Sequence, residues 1–151
     1  MSDVQVVQLE LMRVASAWGF GPNPEELAWK KLLAWAESRG MLDDPENHRV
    51  FGFNNPNPSE GSPNYGYEFW ITVGPEVEPE GEIRVLDFRG GSYAVLAFED
   101  SGGDPYETIP AAWKELDVWV AENKRQHGNH QWLEEHSLEG KLLNLYYPLA
   151  Q

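Results

Sequence analysis

The sequence contains no cysteine, which excludes disulfides, thiol catalysis and cysteine-ligated zinc. Basic residues are scarce. Eleven Lys and Arg stand against 25 Asp and Glu, for a formal net charge of −14. A phosphate backbone or an anionic membrane surface is repelled by that field, so neither nucleic acid nor membrane is expected as a partner. A cationic ligand or partner is favoured, although most of these carboxylates read simply as solubilising surface. No run approaches about 18 apolar residues, and no basic segment leads into an apolar one at the N-terminus. The chain therefore reads as soluble and cytoplasmic. Only four histidines occur. His127 and His130 lack a third ligand, so they read as surface residues and no metal is expected. Asn54 to Asn57 has no calcium-loop spacing. Gly90-Gly91 is followed by neither a helix nor a Lys, so it is not a phosphate loop. No serine nucleophile elbow appears, and no cofactor is expected.

Aromatic residues, in contrast, are abundant: seven Trp, six Tyr and six Phe, 13% of the chain. Some must be core, but aromatic rings also line pockets for flat organic ligands. One aromatic pattern occurs twice. Ala28-Trp29-Lys30-Lys31-Leu32-Leu33-Ala34-Trp35 is matched by Ala112-Trp113-Lys114-Glu115-Leu116-Asp117-Val118-Trp119, with both tryptophans displaced by the same 84 residues. The pattern implies a duplicated half-domain within a single domain over 1–151, with pseudo-repeat halves at 1–75 and 82–151 and a groove where they meet.

Each half gives the same order of elements. Residues 4–18 alternate loosely and read as a first strand. Asn23-Pro24-Glu25-Glu26 is a helix start, with Asn as N-cap and Glu26 as a capping-box partner, and Gly40 closes the helix. Residues 49–53 and 65–73 read as strands, and 74–81 as the linker between halves. Residues 82–88 and 92–98 are strand-like. Asp104-Pro105-Tyr106-Glu107 repeats the cap signal before the second helix. Residues 131–137 and 142–149 are the last two strands. Strand, helix, strand, strand, performed twice, predicts an α+β fold: an antiparallel sheet with two main helices and a central groove.

Several of these features together resemble the GyrI-like small-molecule-binding family, which includes the DNA gyrase inhibitor protein and the effector-binding domains of multidrug-responsive transcription activators. They are Tyr67-Glu68 at the head of an alternating strand, Gly90-Gly91-Ser92-Tyr93-Ala94-Val95, and Ala112-Trp113 with Leu116 and Trp119. Leu133-Glu134 and the terminal Leu145-Tyr146-Tyr147-Pro148-Leu149 complete the set. The chain departs from the family pattern at His136, where an aromatic residue is usual. The resemblance implies a tandem strand-helix-strand-strand fold around a groove. It also implies a sensor module alone, since the chain has no room for a helix-turn-helix, and a pocket that binds lipophilic aromatic cations between rings above a glutamate. An aromatic face attracts a cation by about 2 kcal/mol or more when desolvated. A buried carboxylate supplies the opposite charge.

Strand alternation selects residues for such a pocket. Trp132, Glu134 and His136 share one face, with Glu135 on the other, which favours Glu134 as the pocket acid. Tyr67 shares a face with Phe69 and Ile71; Glu68 and Trp70 take the opposite face, and either face is open to the ligand. The resemblance favours Tyr67 on this strand, with Trp70 and Glu68 as second choices; the candidate ligand-binding set is Glu134, Tyr67, Trp70, Tyr93, Trp113, Trp132 and Tyr147. The other tryptophans of the repeat read as scaffold. Polyspecific binding of aromatic cations is the first expectation. Hydrolysis of electrophilic small molecules with Glu134 as acid or water activator, helped by Tyr67 or Tyr147, is the second. Protein–protein inhibition of a topoisomerase by an acidic surface is the third. Oligomeric state is left open by the sequence.

Overall fold

The computed structural model describes residues 4–99 and 103–150. It contains eight strands and two main helices: β1 Val4–Leu9, β2 Met12–Gly21, α1 Pro24–Ser38, β3 Val50–Asn54, β4 Tyr65–Thr72, β5 Arg84–Phe88, β6 Gly91–Ala97, α2 Pro105–Glu122, β7 Leu133–His136 and β8 Leu142–Pro148. Two short 3-10 turns, Met41–Asp43 and Pro45–Asn47, follow α1. The fold is α+β with antiparallel strand pairing, as the sequence pattern predicts. No described helix is long and apolar enough to cross a membrane.

The order of elements is strand-strand-helix-strand-strand, twice. The expected first strand over 4–18 is in fact two, broken at Glu10-Leu11. The reason is pairing. β1 runs antiparallel to β6, with Val4 opposite Leu96 and Leu9 opposite Gly91. β2 instead pairs with β4 on one side and β5 on the other. Gly90 sits at φ 82, and a side chain there would run into the Leu9 carbonyl, so the end of β1 lies tight against the turn into β6.

The chain forms two compact units. One holds β1, β6, α2 and β8 with residues 133–135; the other holds β2, α1, β3, β4 and β5 with residues 136–141. In the first, strands run in the order β1-β6-β8-β7; in the second, β3-β4-β2-β5. The core of the second unit sits between α1 and the inward positions of β2 and β4. Ala28, Leu32, Trp35 and Ala36 of α1 pack on Ala15, Ala17, Phe69 and Ile71. Alanines on β2 and glycine at 19 let the helix lie close. A Cβ on Gly19 would stand 2.6 Å from the Pro24 carbonyl oxygen, so only glycine fits beneath the first turn of α1. Residues 74–81, expected to be a plain linker, contribute Val77 to this core, and Ile83 follows it there. The predicted cap at Asn23 makes no side-chain bond to the helix, whereas Asp104 does cap α2 by accepting from the Tyr106 amide at 3.0 Å.

The core of the first unit repeats this logic. Leu116 and Val120 of α2 bury against Ala94, Leu96, Leu145, Tyr147 and Leu149, with Trp113 and Trp119 half-buried at the edge. Trp29 and Trp35 occupy the corresponding places on α1: Trp35 is buried and Trp29 is half-buried against the α1 core.

Candidate functional site

Within the first unit, α2 and the strands beneath it place three rings together. On β8, successive side chains alternate, so Leu145, Tyr147 and Leu149 face α2 while Tyr146 and Pro148 face away. Ala94 stands opposite Tyr147 in the register of β6 with β8, and its small side chain leaves room for the phenol ring. Trp132, just before β7, packs edge-to-face on Tyr147 with centroids 4.4 Å apart at 63°. Trp113 of α2 packs on Trp132 at 5.5 Å, also edge-to-face. Such pairs are worth about 0.5–1.5 kcal/mol each beyond their burial. Trp132 remains 40% exposed, so the cluster is open to solvent at this ring.

One carboxylate is bonded to this cluster, and strand alternation sets a second on the same side of the unit. The Tyr147 hydroxyl donates to Asp117 Oδ1 at 3.0 Å. Burial raises the Tyr147 pKa above its ordinary value, and the hydrogen bond to Asp117 and its charge raise it further. The phenol therefore stays neutral. Asp117 lies four residues after Trp113, one helical turn on, which places both on the same side of α2. Glu134 is the second carboxylate. Its neighbour Glu135 accepts hydrogen bonds from Tyr146 at 2.8 Å and from Asn144 at 3.0 Å, both on the side of β8 away from α2. Glu135 thus takes that face, and by alternation Glu134 leaves β7 on the Trp132 and Tyr147 side, half-buried.

Tyr93, another of the predicted residues, lies on the face away from α2. It is fully buried, donates to the Gln131 carbonyl at 2.6 Å, and packs edge-to-face on His130 and Tyr146. Burial, with a smaller contribution from the neighbouring Tyr146, raises its pKa strongly. His130 is correspondingly not the surface residue expected. It is half-buried, and its Nε2 lies 2.7 Å from the Ser92 carbonyl. A carbonyl only accepts, so Nε2 carries the proton.

The remaining two candidates lie in the second unit, on opposite faces of β4. Tyr67 packs on Phe69 at 4.8 Å, and its hydroxyl lies 3.4 Å from His136 Nε2. His136 in turn meets Phe69 edge-to-face at 5.1 Å, and Trp29 meets Phe69 from the helix side at 5.0 Å. Trp70 belongs to a different constellation on the far face. Its indole donates to Glu68 Oε2 at 2.6 Å, beside Ser16 at 2.7 Å, while Asn55 donates to Oε1 at 3.1 Å and Arg84 forms an ion pair at 3.3 Å. Glu68 is only 3% exposed.

Of the seven residues read from the sequence, the structure brings together Trp113, Trp132 and Tyr147, with Glu134 on their side of β7. Asp117 was missed. Its signal was the four-residue step from Trp113, which reads equally well as an exposed helix position.

The sequence model of the GyrI-like small molecule binding domain matches residues 2–136, nearly the whole chain. The chain belongs to the GyrI-like family. The matched range includes Trp113, Trp132 and Glu134 and stops before Tyr147. No sequence among curated proteins matches significantly. Among solved structures, the C-terminal domain of EcmrR is similar over 100% of this chain and 99% of that one, with a TM-score of 0.71 and 15% identity. In the EcmrR–DNA complex the same similarity covers 99% of this chain but 58% of the EcmrR chain (TM-score 0.69, 15% identity), so this GyrI-like chain spans little more than half of that protein. SAV2435 bound to tetraphenylphosphonium is similar over 98% of this chain and 94% of that one, with a TM-score of 0.53 and 11% identity. A hydrolase from Listeria innocua is similar over 98% and 92%, with a TM-score of 0.66 and 11% identity. At these identities the likeness concerns the fold alone.

Proposed function

We propose that this GyrI-like chain binds lipophilic aromatic cations, without tight selection among them, on the Trp113–Trp132–Tyr147 cluster. The observation that carries the reading is the half-exposed indole of Trp132, held edge-to-face between two other rings, with Asp117 bonded to Tyr147; strand alternation adds Glu134 on that side. The negative faces of these rings attract a cation, and the two acids balance its charge. Stacking and charge are weakly directional, so ligands of different outline are accepted. The neighbour that holds tetraphenylphosphonium makes such a cation the natural probe. Tyr67 adds a ring to the second unit's own aromatic cluster, Tyr93 positions its neighbours from the far face, and Trp70 serves Glu68.

Charge, not shape, should decide binding. Tetraphenylphosphonium and tetraphenylborate have nearly the same outline and opposite charge. The cation is expected to quench tryptophan fluorescence saturably, and the anion to leave it nearly unchanged at equal concentration. Equal quenching by both, or by neither, overturns the proposal.

A further inference from the structure

The Glu68 constellation opens onto a cavity, about 370 Å3 in volume, lined by Trp18, Lys31, Asn55, Glu68, Glu82 and Arg84. All six residues belong to the second unit.

First, its buried acid is used up. Glu68 receives Ser16, Trp70 and Arg84 on one oxygen and Asn55 on the other, leaving little acceptor capacity for a ligand. Second, its cations are fixed but accessible. Glu68 engages one guanidinium nitrogen of Arg84, while 63% of the Arg84 side chain is exposed. The Lys31 ammonium donates to the Trp18 carbonyl at 3.0 Å and stands 3.5 Å from Glu82, a residue whose side chain is 78% exposed. Third, a ring forms part of the wall and is held in place. The Trp18 indole N–H donates to the Asn55 carbonyl at 2.7 Å, the ring stacks on Phe20 at 5.9 Å and 25°, and Trp18 is still 43% exposed.

We infer that this cavity is a binding site for a small planar aromatic carboxylate. The carboxylate meets the planar fork of Arg84, a geometry that Arg matches and Lys does not. The ligand ring lies along Trp18. Lys31 adds a second positive charge at the rim. Glu68, tied to three neutral donors, acts as a positioning residue that aims Arg84. The volume suits a one- or two-ring acid. This ligand carries the charge opposite to that of the cation proposed for the α2 cluster, and the inference does not depend on that reading.

Calorimetric titration with 2-naphthoate tests it. The native chain is expected to bind saturably. Arg84→Gln is expected to weaken binding by about tenfold or more, as loss of a bidentate charged contact does. Trp18→Ala removes an exposed ring and leaves the Glu68 network intact; it is expected to weaken binding about three- to tenfold. Arg84→Lys, which keeps the charge and loses the fork, should fall between the native chain and Arg84→Gln. Circular dichroism establishes that each variant is folded, and the Trp18→Ala result stands even if an Arg84 variant is not. Absence of saturable binding to the native chain, or native affinity in both Trp18→Ala and Arg84→Gln, overturns the inference. So does tighter binding of 2-naphthylmethylammonium, a cation of similar shape, that is lost in Trp18→Ala.

Discussion

Trp132→Ala should weaken tetraphenylphosphonium binding by about tenfold to thirtyfold, corresponding to about 1.4–2 kcal/mol of lost cation–π and stacking energy. Trp132 is the central ring of the cluster, in contact with both Trp113 and Tyr147, and the most exposed of the three. Its removal takes away the face a cation would meet and leaves Leu116, Val120 and Leu145 still buried. Stability should therefore fall far less than affinity. Glu134→Gln should cost about tenfold through loss of the opposing charge, and Asp117→Asn somewhat less because Asp117 lies at the exposed surface of α2. Calorimetry on the three variants checks the order. Native affinity in Trp132→Ala places the ligand elsewhere. Native affinity in both acid variants means that charge plays no part at this cluster.

A second large effect is expected in stability. Glu68→Ala should destabilise the chain by about 2–5 kcal/mol, because it strands the Ser16 hydroxyl and the Trp70 indole, both buried donors, and removes the partner of Arg84. In a domain of this size that is roughly a 4–20 °C fall in Tm. Glu68→Gln keeps the shape and one acceptor oxygen and should lose less. The comparison separates polar satisfaction from simple cavity formation. A Glu68→Ala variant within about 1 kcal/mol of the native chain would mean that water replaces the carboxylate at little cost.

The fold class, both helices and most strands were legible because alternation and cap signals are local. The double Trp pattern marked α1 and α2 correctly, since each helix buries the same stripe of its face. The split between β1 and β2 was not legible. Neither Gly nor Pro marks residues 10–11, and only the change of partner from β6 to β4 and β5 creates the break. The role of Val77 was hidden for a related reason: Pro and Glu on both sides give the segment the composition of a loop, while one apolar side chain ties it to the core.

Site residues were legible only in part. Alternation put Trp132 and Glu134 on one side of a strand and Glu135 on the other; Glu135 accepts from Tyr146 and Asn144. Alternation also separated Tyr67 from Trp70. It did not say which aromatics would meet, because Trp113, Trp132 and Tyr147 come from a helix, a loop end and the last strand. It likewise did not show that Glu68 is held in a polar network by Ser16, Asn55, Trp70 and Arg84.

The central claim is that the Trp113–Trp132–Tyr147 cluster takes the cation. Indole N–H resonances of the seven tryptophans, assigned through single Trp→Phe variants, report on it directly. During titration with tetraphenylphosphonium, the Trp113 and Trp132 signals are expected to shift together with one saturation curve, while Trp18 and Trp70 stay in place. Movement of Trp18 and Trp70 with Trp113 and Trp132 unmoved would contradict the account.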